Sequence, residues 1–214
     1  HELKTPLQSI IGSAELLENG LVKPEDQPRF LSRIHQEADR LVALINDILR
    51  LSQLDEGGAL PHEQVSVLEL AQEAARSLTA QAAAQAVHIS VTGTVGTVFG
   101  VRRLLYEIAR NLCENAVKYN VPGGSVTVEV AETDRDVALL VRDTGIGIPE
   151  GDQSRVFERF YRVDKSHSRA IGGTGLGLSI VKHAVAYHHG TLRLESQLGK
   201  GTVITVTLPK KPTE

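Results

Sequence analysis

Two stretches near the start of this chain carry an apolar repeat that they cannot bury by themselves. Leu3, Leu7, Ile10, Ala14, Leu17 and Leu21 recur at spacings of four and three, and the rhythm resumes with Leu31, Ile34, Ala38, Leu41, Ile45, Ile48 and Ser52. That is a heptad seam on both arms. Asn19-Gly20 supplies a stop and Lys23-Pro24 a restart, so the arms read as a helical hairpin. A hairpin leaves such a seam half covered, and Leu16, Leu44, Leu49 and Leu51 widen the apolar surface. A four-helix bundle made from two copies of the chain would bury it. The expectation is a homodimer held through residues 1–57.

Asp55-Glu56-Gly57-Gly58, followed by Pro61, breaks the pattern, and residues 58–66 are expected as a linker. A second domain is expected over 67–210. Residues 67–86 read as an Ala-rich helix, 87–92 as a strand and 101–119 as a second helix. Residues 125–131 and 137–142 read as strands, 175–188 as a third helix, and 191–196 with 202–208 as a closing hairpin. Helices and strands mix without regular βαβ alternation, so the expected class is an α+β sandwich, with helices layered on one sheet face.

Composition removes several function classes. Net charge is -3, with 23 basic against 26 acidic residues, so no basic footprint marks nucleic acid as a partner. Cys113 is the single cysteine, which excludes an internal disulfide framework and fits a reducing compartment. No apolar run approaches the ~18 residues a membrane span requires, so no membrane contact is expected within these residues. The chain opens on His1 and contains no Met, which reads as part of something longer.

Three stretches carry chemistry. Asp143-Thr144-Gly145-Ile146-Gly147-Ile148-Pro149 lies just beyond a strand. Its carboxylate can accept a hydrogen bond from an amino donor, and its glycines let backbone approach a bound group. Alone, such a stretch is most often just an ordinary turn. Asn111, Glu114, Asn115 and Lys118 fall at i, i+3, i+4 and i+7 on one helix face. That stripe is either a solvated face or a seat for a hydrated divalent cation carrying phosphates, since Mg²⁺ keeps most of its waters and takes one or two protein oxygens. Gly172-Gly173-Thr174-Gly175-Leu176-Gly177 opens a helix, where free N–H groups and the dipole favour an anion. No strand runs directly into it, so it is no Rossmann fingerprint, and no Gly-Lys-Ser/Thr ending makes it a Walker loop. Between the glycine stretches, Phe157, Arg159, Phe160, Tyr161 and Arg162 anchor a segment whose continuation over 164–169 is polar and unpatterned, like a hinge and lid.

Together these motifs resemble those of sensor histidine kinases of bacterial two-component systems. His1-Glu2-Leu3-Lys4-Thr5-Pro6-Leu7 resembles the phosphoacceptor box, 111–119 the asparagine box, 143–149 the first glycine box, 157–164 the phenylalanine box and 173–178 the second glycine box. All five occur in the family's order. The resemblance is to the phosphate-sensor-like members, with a dimerisation and phosphotransfer domain and a Bergerat-type ATP-binding domain.

The resemblance implies ATP and Mg²⁺ as cofactors, His1 as the phosphorylated residue, and an aspartate on a response regulator receiver domain as the next acceptor. Glu2 would hold the other ring proton of His1. Asp143 would take the adenine amino group, with Gly145 and Gly147 beside it. Asn115 would hold Mg²⁺, and Asn111, Lys118 and Tyr119 would line the phosphate and sugar side. Glu114 would either polarise the nucleophile or organise the Mg²⁺ waters. Arg162 would reach the γ-phosphate, and Gly173, Thr174, Gly175, Leu176 and Gly177 would frame the closing lid. Thr5 reads locally as a helix N-cap before Pro6. In the family, the helix instead continues upstream and this Thr positions water for regulator dephosphorylation. His167 falls in the lid, and Cys113 reads as core. The family also leads one to expect that the full-length chain is membrane-anchored with this portion cytoplasmic. The alternative is a regulator phosphatase or docking scaffold that uses ATP conformationally.

Overall fold

In this computed structural model residues 3–55, 60–163 and 173–211 are described. His1, Glu2, most of the Asp55–Gly58 break, the lid stretch 164–169 with His167, and Gly172 lie outside the described residues.

The hairpin forms as the heptads predict. Helix α1 spans Lys4–Glu18 and α2 spans Gln27–Asp55. The first ends in a Schellman turn: Leu21 N–H donates to the Leu16 carbonyl (3.0 Å) and Gly20 N–H to that of Leu17 (3.1 Å). Gly20, at φ +67°, takes the left-handed position this turn requires. Pro28 sits in the first turn of α2, where its missing N–H costs nothing. Thr5 lies inside α1: the residue before the helix is Leu3, already helical at φ -80°, ψ -34°. The helix thus starts before Thr5, and the expected N-cap does not lie at that residue.

Leu3, Leu7, Ile11, Leu31, Val42, Ile45 and Leu49 are exposed on the protomer. Such a run on one hairpin is the surface a second copy would cover.

The rest is a two-layer α/β sandwich. A small antiparallel pair joins β1 (Glu63–Ser66) to a strand at Thr97–Gly100. Residues 63–66 were expected as linker, and the structure corrects this. Val65 is buried opposite Val98, and Ser66 caps the next helix by accepting from Glu69 N–H (3.3 Å). The helix expected over 67–86 is broken into α3 (Val67–Ser77) and α4 (Thr79–Ala84). At the break, Ser77 and Thr79 hydroxyls donate to the carbonyls of Ala74 (2.7 Å) and Arg76 (2.9 Å). Then come β2 (His88–Gly93), β3 (Thr97–Gly100), α5 (Arg102–Lys118), β4 (Ser125–Glu132), β5 (Asp136–Asp143), the single turn α6 (Glu150–Gln153), α7 (Gly177–Tyr187), β6 (Thr191–Gln197) and β7 (Gly201–Pro209).

The five-stranded sheet runs β2-β4-β5-β7-β6, parallel only between β2 and β4. Alternate residues point to the helices. Val128 faces Val141, Leu139 faces Val206 and Val141 faces Ile204 across neighbouring strands, all buried under α3, α5 and α7. Each such side chain removed from water contributes about 1.5–3 kcal/mol. This register ends β5 at Asp143, at the rim of the helix layer.

A smaller cluster ties hairpin to sandwich. Leu44 of α2 is 3% exposed, packed with Leu176 and Ile180 and flanked by Ile48. Leu44 was expected to face a second chain; its burial against α7 assigns it to this contact instead.

His188, following α7, has both ring nitrogens committed. Nδ1–H donates to the Ala184 carbonyl (2.7 Å), and Nε2 accepts from Val101 N–H (3.0 Å). Burial pushes its pKa below the usual range, opposed by the Ala184 bond and reinforced by His62 and His189. The unfolded chain therefore binds the proton more readily, so this group's contribution is present above the unfolded pKa of ~6.5 and is lost as pH falls below it. Urea denaturation from pH 7.5 to 5.5 should show stability falling. His188→Phe, which orphans Val101 N–H, should cost about 1–3 kcal/mol at pH 7.5 and give a flatter acid dependence.

Candidate functional site

The site is built where α5, the turn after β5 and the start of α7 meet. The Asp143 carboxylate fixes its floor. Oδ1 accepts from Gly145 N–H (2.8 Å) and Thr202 N–H (3.2 Å), bridging the end of β5 to the start of β7. Oδ2 takes part in neither bond and is the oxygen left to read a donor. Burial raises this carboxyl's pKa, and the two backbone bonds partly offset the effect.

The turn after Asp143 is stapled on both sides. Ile146 N–H donates to the Tyr119 carbonyl (3.0 Å), and Gly199 N–H to the Ile146 carbonyl (2.8 Å). Ile148 N–H donates to Ser196 Oγ (2.8 Å), and Gln153 Nε2 donates to the carbonyls of Ile148 (3.0 Å) and Ser196 (2.9 Å). Gly147 holds φ +69°, and any Cβ there would overlap the Gln197 carbonyl.

One wall is the polar stripe of α5. Asn111 Nδ2 donates back to the Glu107 carbonyl (2.8 Å), and its Oδ1 lies 2.8 Å from where a Cβ on Gly177 would stand. Asn115 is half-buried one turn on. Glu114 pairs with Arg110 at 3.6 Å. Lys118 lies 5.8 Å from the centroid of the Tyr119 ring. Burial holds its pKa low, Glu114 opposes this, and Arg162 and Arg40 lower it further. Burial raises Tyr119.

The opposite wall is the glycine stretch. A Cβ on Gly173 would come 3.1 Å from Lys118 Nζ, and Phe160 N–H donates to the Gly175 carbonyl (2.9 Å). Leu176 is buried, and Thr174 Oγ1 donates to Asp47 Oδ2 on α2 (2.8 Å). The segment carrying Arg162 is anchored by Arg155 stacked 4.2 Å over the Tyr161 ring, whose hydroxyl donates to Asp152.

Asn111, Glu114, Asn115, Lys118, Tyr119, Asp143, Gly145, Gly147, Arg162 and 173–177 are thus brought together around the end of α5. Thr5 sits at the start of α1 instead, and His1 and Glu2 are outside the described residues. Sequence reasoning missed Thr202, whose signal was the Gly201-Thr202 opening of the last strand. It also missed Asp47, which carried no local signal. Among the described residues no cluster of three or more His, Cys, Asp or Glu could cage a metal. One half-buried amide oxygen beside a cationic region suits an ion that brings its own waters and phosphates, so Asn115 fits Mg²⁺. Cys113 is fully buried and its thiol pushed up to about 12, which makes it an inert core residue.

Residues 100–212 match the family described as "Histidine kinase-, DNA gyrase B-, and HSP90-like ATPase", and residues 1–57 that described as "His Kinase A (phospho-acceptor) domain". The chain is 40% identical to the sensor-like histidine kinase SenX3 of Mycolicibacterium smegmatis, over 99% of this chain and 56% of that protein. It therefore spans about half the length of that curated relative. Among solved structures, it is similar to full-length ShkA in complex with AMPPNP (TM-score 0.73, 28% identity, 100% of this chain and 45% of the other). It also shares the fold of histidine kinase ThkA in complex with response regulator protein TrrA (TM-score 0.79, 22% identity, 99% and 60%). No helix among the described residues is long and apolar enough to cross a membrane.

The Gly147 geometry makes a local prediction. Gly147→Ala should cost at least about 1–3 kcal/mol in urea denaturation, from left-handed strain and the overlap with Gln197.

Proposed function

Because the chain belongs to the sensor histidine kinase family, with a phosphoacceptor region and an ATPase region in one polypeptide, we propose that it phosphorylates its own His1 from ATP and passes the phosphoryl group to an aspartate of a response regulator. The observation that carries this reading is the convergence of three separate stretches on one cleft, on a helix layer that touches α2 through Asp47 and Leu44. Residues 1–57 then act as the dimerisation and phosphotransfer domain, and the sandwich as the catalytic domain.

Asp143 Oδ2 accepts from the adenine amino group, which points the triphosphate along α5 toward Lys118 and Arg162. Asn115 would hold Mg²⁺ through its amide oxygen, and the ion would supply positive charge to the phosphates. A ring nitrogen of His1 attacks the γ-phosphorus. The bond from that phosphorus to the β–γ bridging oxygen breaks, ADP leaves, and Glu2 holds the proton on the other ring nitrogen. Lys118 and Arg162 offset the charge on the transferring group. A receiver aspartate then takes the phosphoryl group from His1, which restores the free imidazole. The complex of ThkA with response regulator protein TrrA supports a response regulator as partner. Thr5, one turn beyond His1 in sequence, would orient the water that later removes the phosphoryl group from the regulator. As the family resemblance implies, this portion would be the cytoplasmic part of a membrane-anchored sensor.

Incubation with γ-labelled ATP and Mg²⁺ should give acid-labile, alkali-stable label that is lost in His1→Gln and in Asn115→Ala. ATP binding that needs Asn115, with no label on His1, would favour a regulator phosphatase or scaffold. The exposed seam should make the chain a dimer by light scattering, and Leu7→Glu with Ile45→Glu should yield monomers.

A further inference from the structure

Arg40, Leu44, Asp47 and Ile48 stand at i, i+4, i+7 and i+8 along α2, so they share one helix face. That face is pressed against the opening of α7: Leu44 packs on Leu176 and Ile180, and Asp47 Oδ2 accepts from Thr174 Oγ1 at 2.8 Å. Gly173, the residue before Thr174, lies against Lys118 Nζ and the Tyr119 hydroxyl of α5. Two consecutive residues thus touch α5 on one side and the hairpin on the other. At this seam the Arg40 side chain is only 18% exposed.

Its charge is poorly matched there. Among the described residues its recorded carboxylate partner is Glu37, at 3.9 Å, beyond hydrogen-bond length, and Glu37 Oε2 is itself buried without a hydrogen bond. Glu114, Arg162 and Arg40 all act electrostatically on Lys118, the carboxylate opposing the two guanidinium groups. Three cations from three parts of the chain, with the Glu114 carboxylate among them, therefore lie near one another beside Gly173. Among the described residues three cations outnumber the carboxylates beside them, Glu114 and Glu37, which favours a further anion at this partly buried seam. A terminal phosphate with several acceptor oxygens is such an anion, and guanidinium groups bind it through two N–H donors at once.

We propose that Arg40 is a ligand for the terminal phosphate of a bound nucleoside triphosphate, completing from the hairpin a site begun by Lys118 and Arg162. The proposal rests on the nucleotide reading above and extends it across the domain seam. A triphosphate bridges the two layers, whereas a diphosphate ends short of Arg40. Loss of the terminal phosphate by transfer then removes the bridge and loosens the seam. Arg40 would be what lets the hairpin distinguish ATP from ADP.

Calorimetric titration of the whole chain with ATP and with ADP, each with Mg²⁺, tests this. Arg40→Gln should weaken ATP about tenfold or more and leave ADP within about twofold, because one charge-assisted contact is lost and the adenine site is untouched. Arg40→Lys should recover part of the ATP affinity. A purely structural role for Arg40 would weaken both nucleotides alike or lower the melting temperature, and either result overturns the proposal. An unchanged ATP-to-ADP ratio in Arg40→Gln overturns it as well, while leaving the nucleotide site standing. Binding of neither nucleotide by the unaltered chain would overturn the nucleotide reading and this proposal with it.

Discussion

Asp143 Oδ1 receives two backbone N–H groups from segments almost sixty residues apart, and the site depends on that junction. The bond from Gly145 sets the turn that follows β5, and the bond from Thr202 locks that turn to the start of β7. With one oxygen occupied in this way, the other is oriented without help from a ligand. A half-buried carboxylate held by two donors retains its acceptor character while burial works to neutralise it. The Tyr119 carbonyl, bonded to Ile146 N–H, extends the same junction to the end of α5, so the floor and one wall are fixed together.

The second wall is less self-contained. Residues 173–177 are held by Phe160 N–H on one side and by Asp47 on the other, so part of the cleft is positioned by the hairpin. A kinase that must carry nucleotide to a histidine on another domain gains from such an arrangement, since the contact closing the site also brings the domains together. The cluster of Leu44, Leu176 and Ile180 is small next to the sandwich core. A small apolar contact can be made and broken, which suits a cycle of docking and release.

Much of this was legible in the sequence because it is local or periodic. The heptad spacing from Leu7 to Ile48 specified the hairpin, and alternation in 125–131 and 137–142 specified two central strands. The stripe from Asn111 to Lys118 followed from helix geometry, and the resemblance gave it meaning. What escaped was set by contacts through space. Four residues at 63–66 with one buried valine give no period, yet β3 pairs with them. The break at Leu78 depends on Ser77 and Thr79 hydroxyls that choose helix carbonyls over solvent. Leu44 has the same apolar signal whether it faces a second chain or α7, and tertiary packing chose α7. Thr202 enters through its backbone N–H, which any residue but proline could supply, so its side chain announced nothing.

Parallel titration of ATP and GTP into the unaltered chain and Asp143→Asn asks most directly whether Asp143 reads adenine. A carboxylate oxygen accepts from the amino group of adenine and repels the carbonyl oxygen guanine carries at that position. ATP should bind at least about tenfold tighter than GTP, and Asp143→Asn should narrow that gap by weakening ATP. Equal binding of ATP and GTP by the unaltered chain would contradict the role given to Asp143 and, with it, the direction in which the triphosphate is laid toward His1.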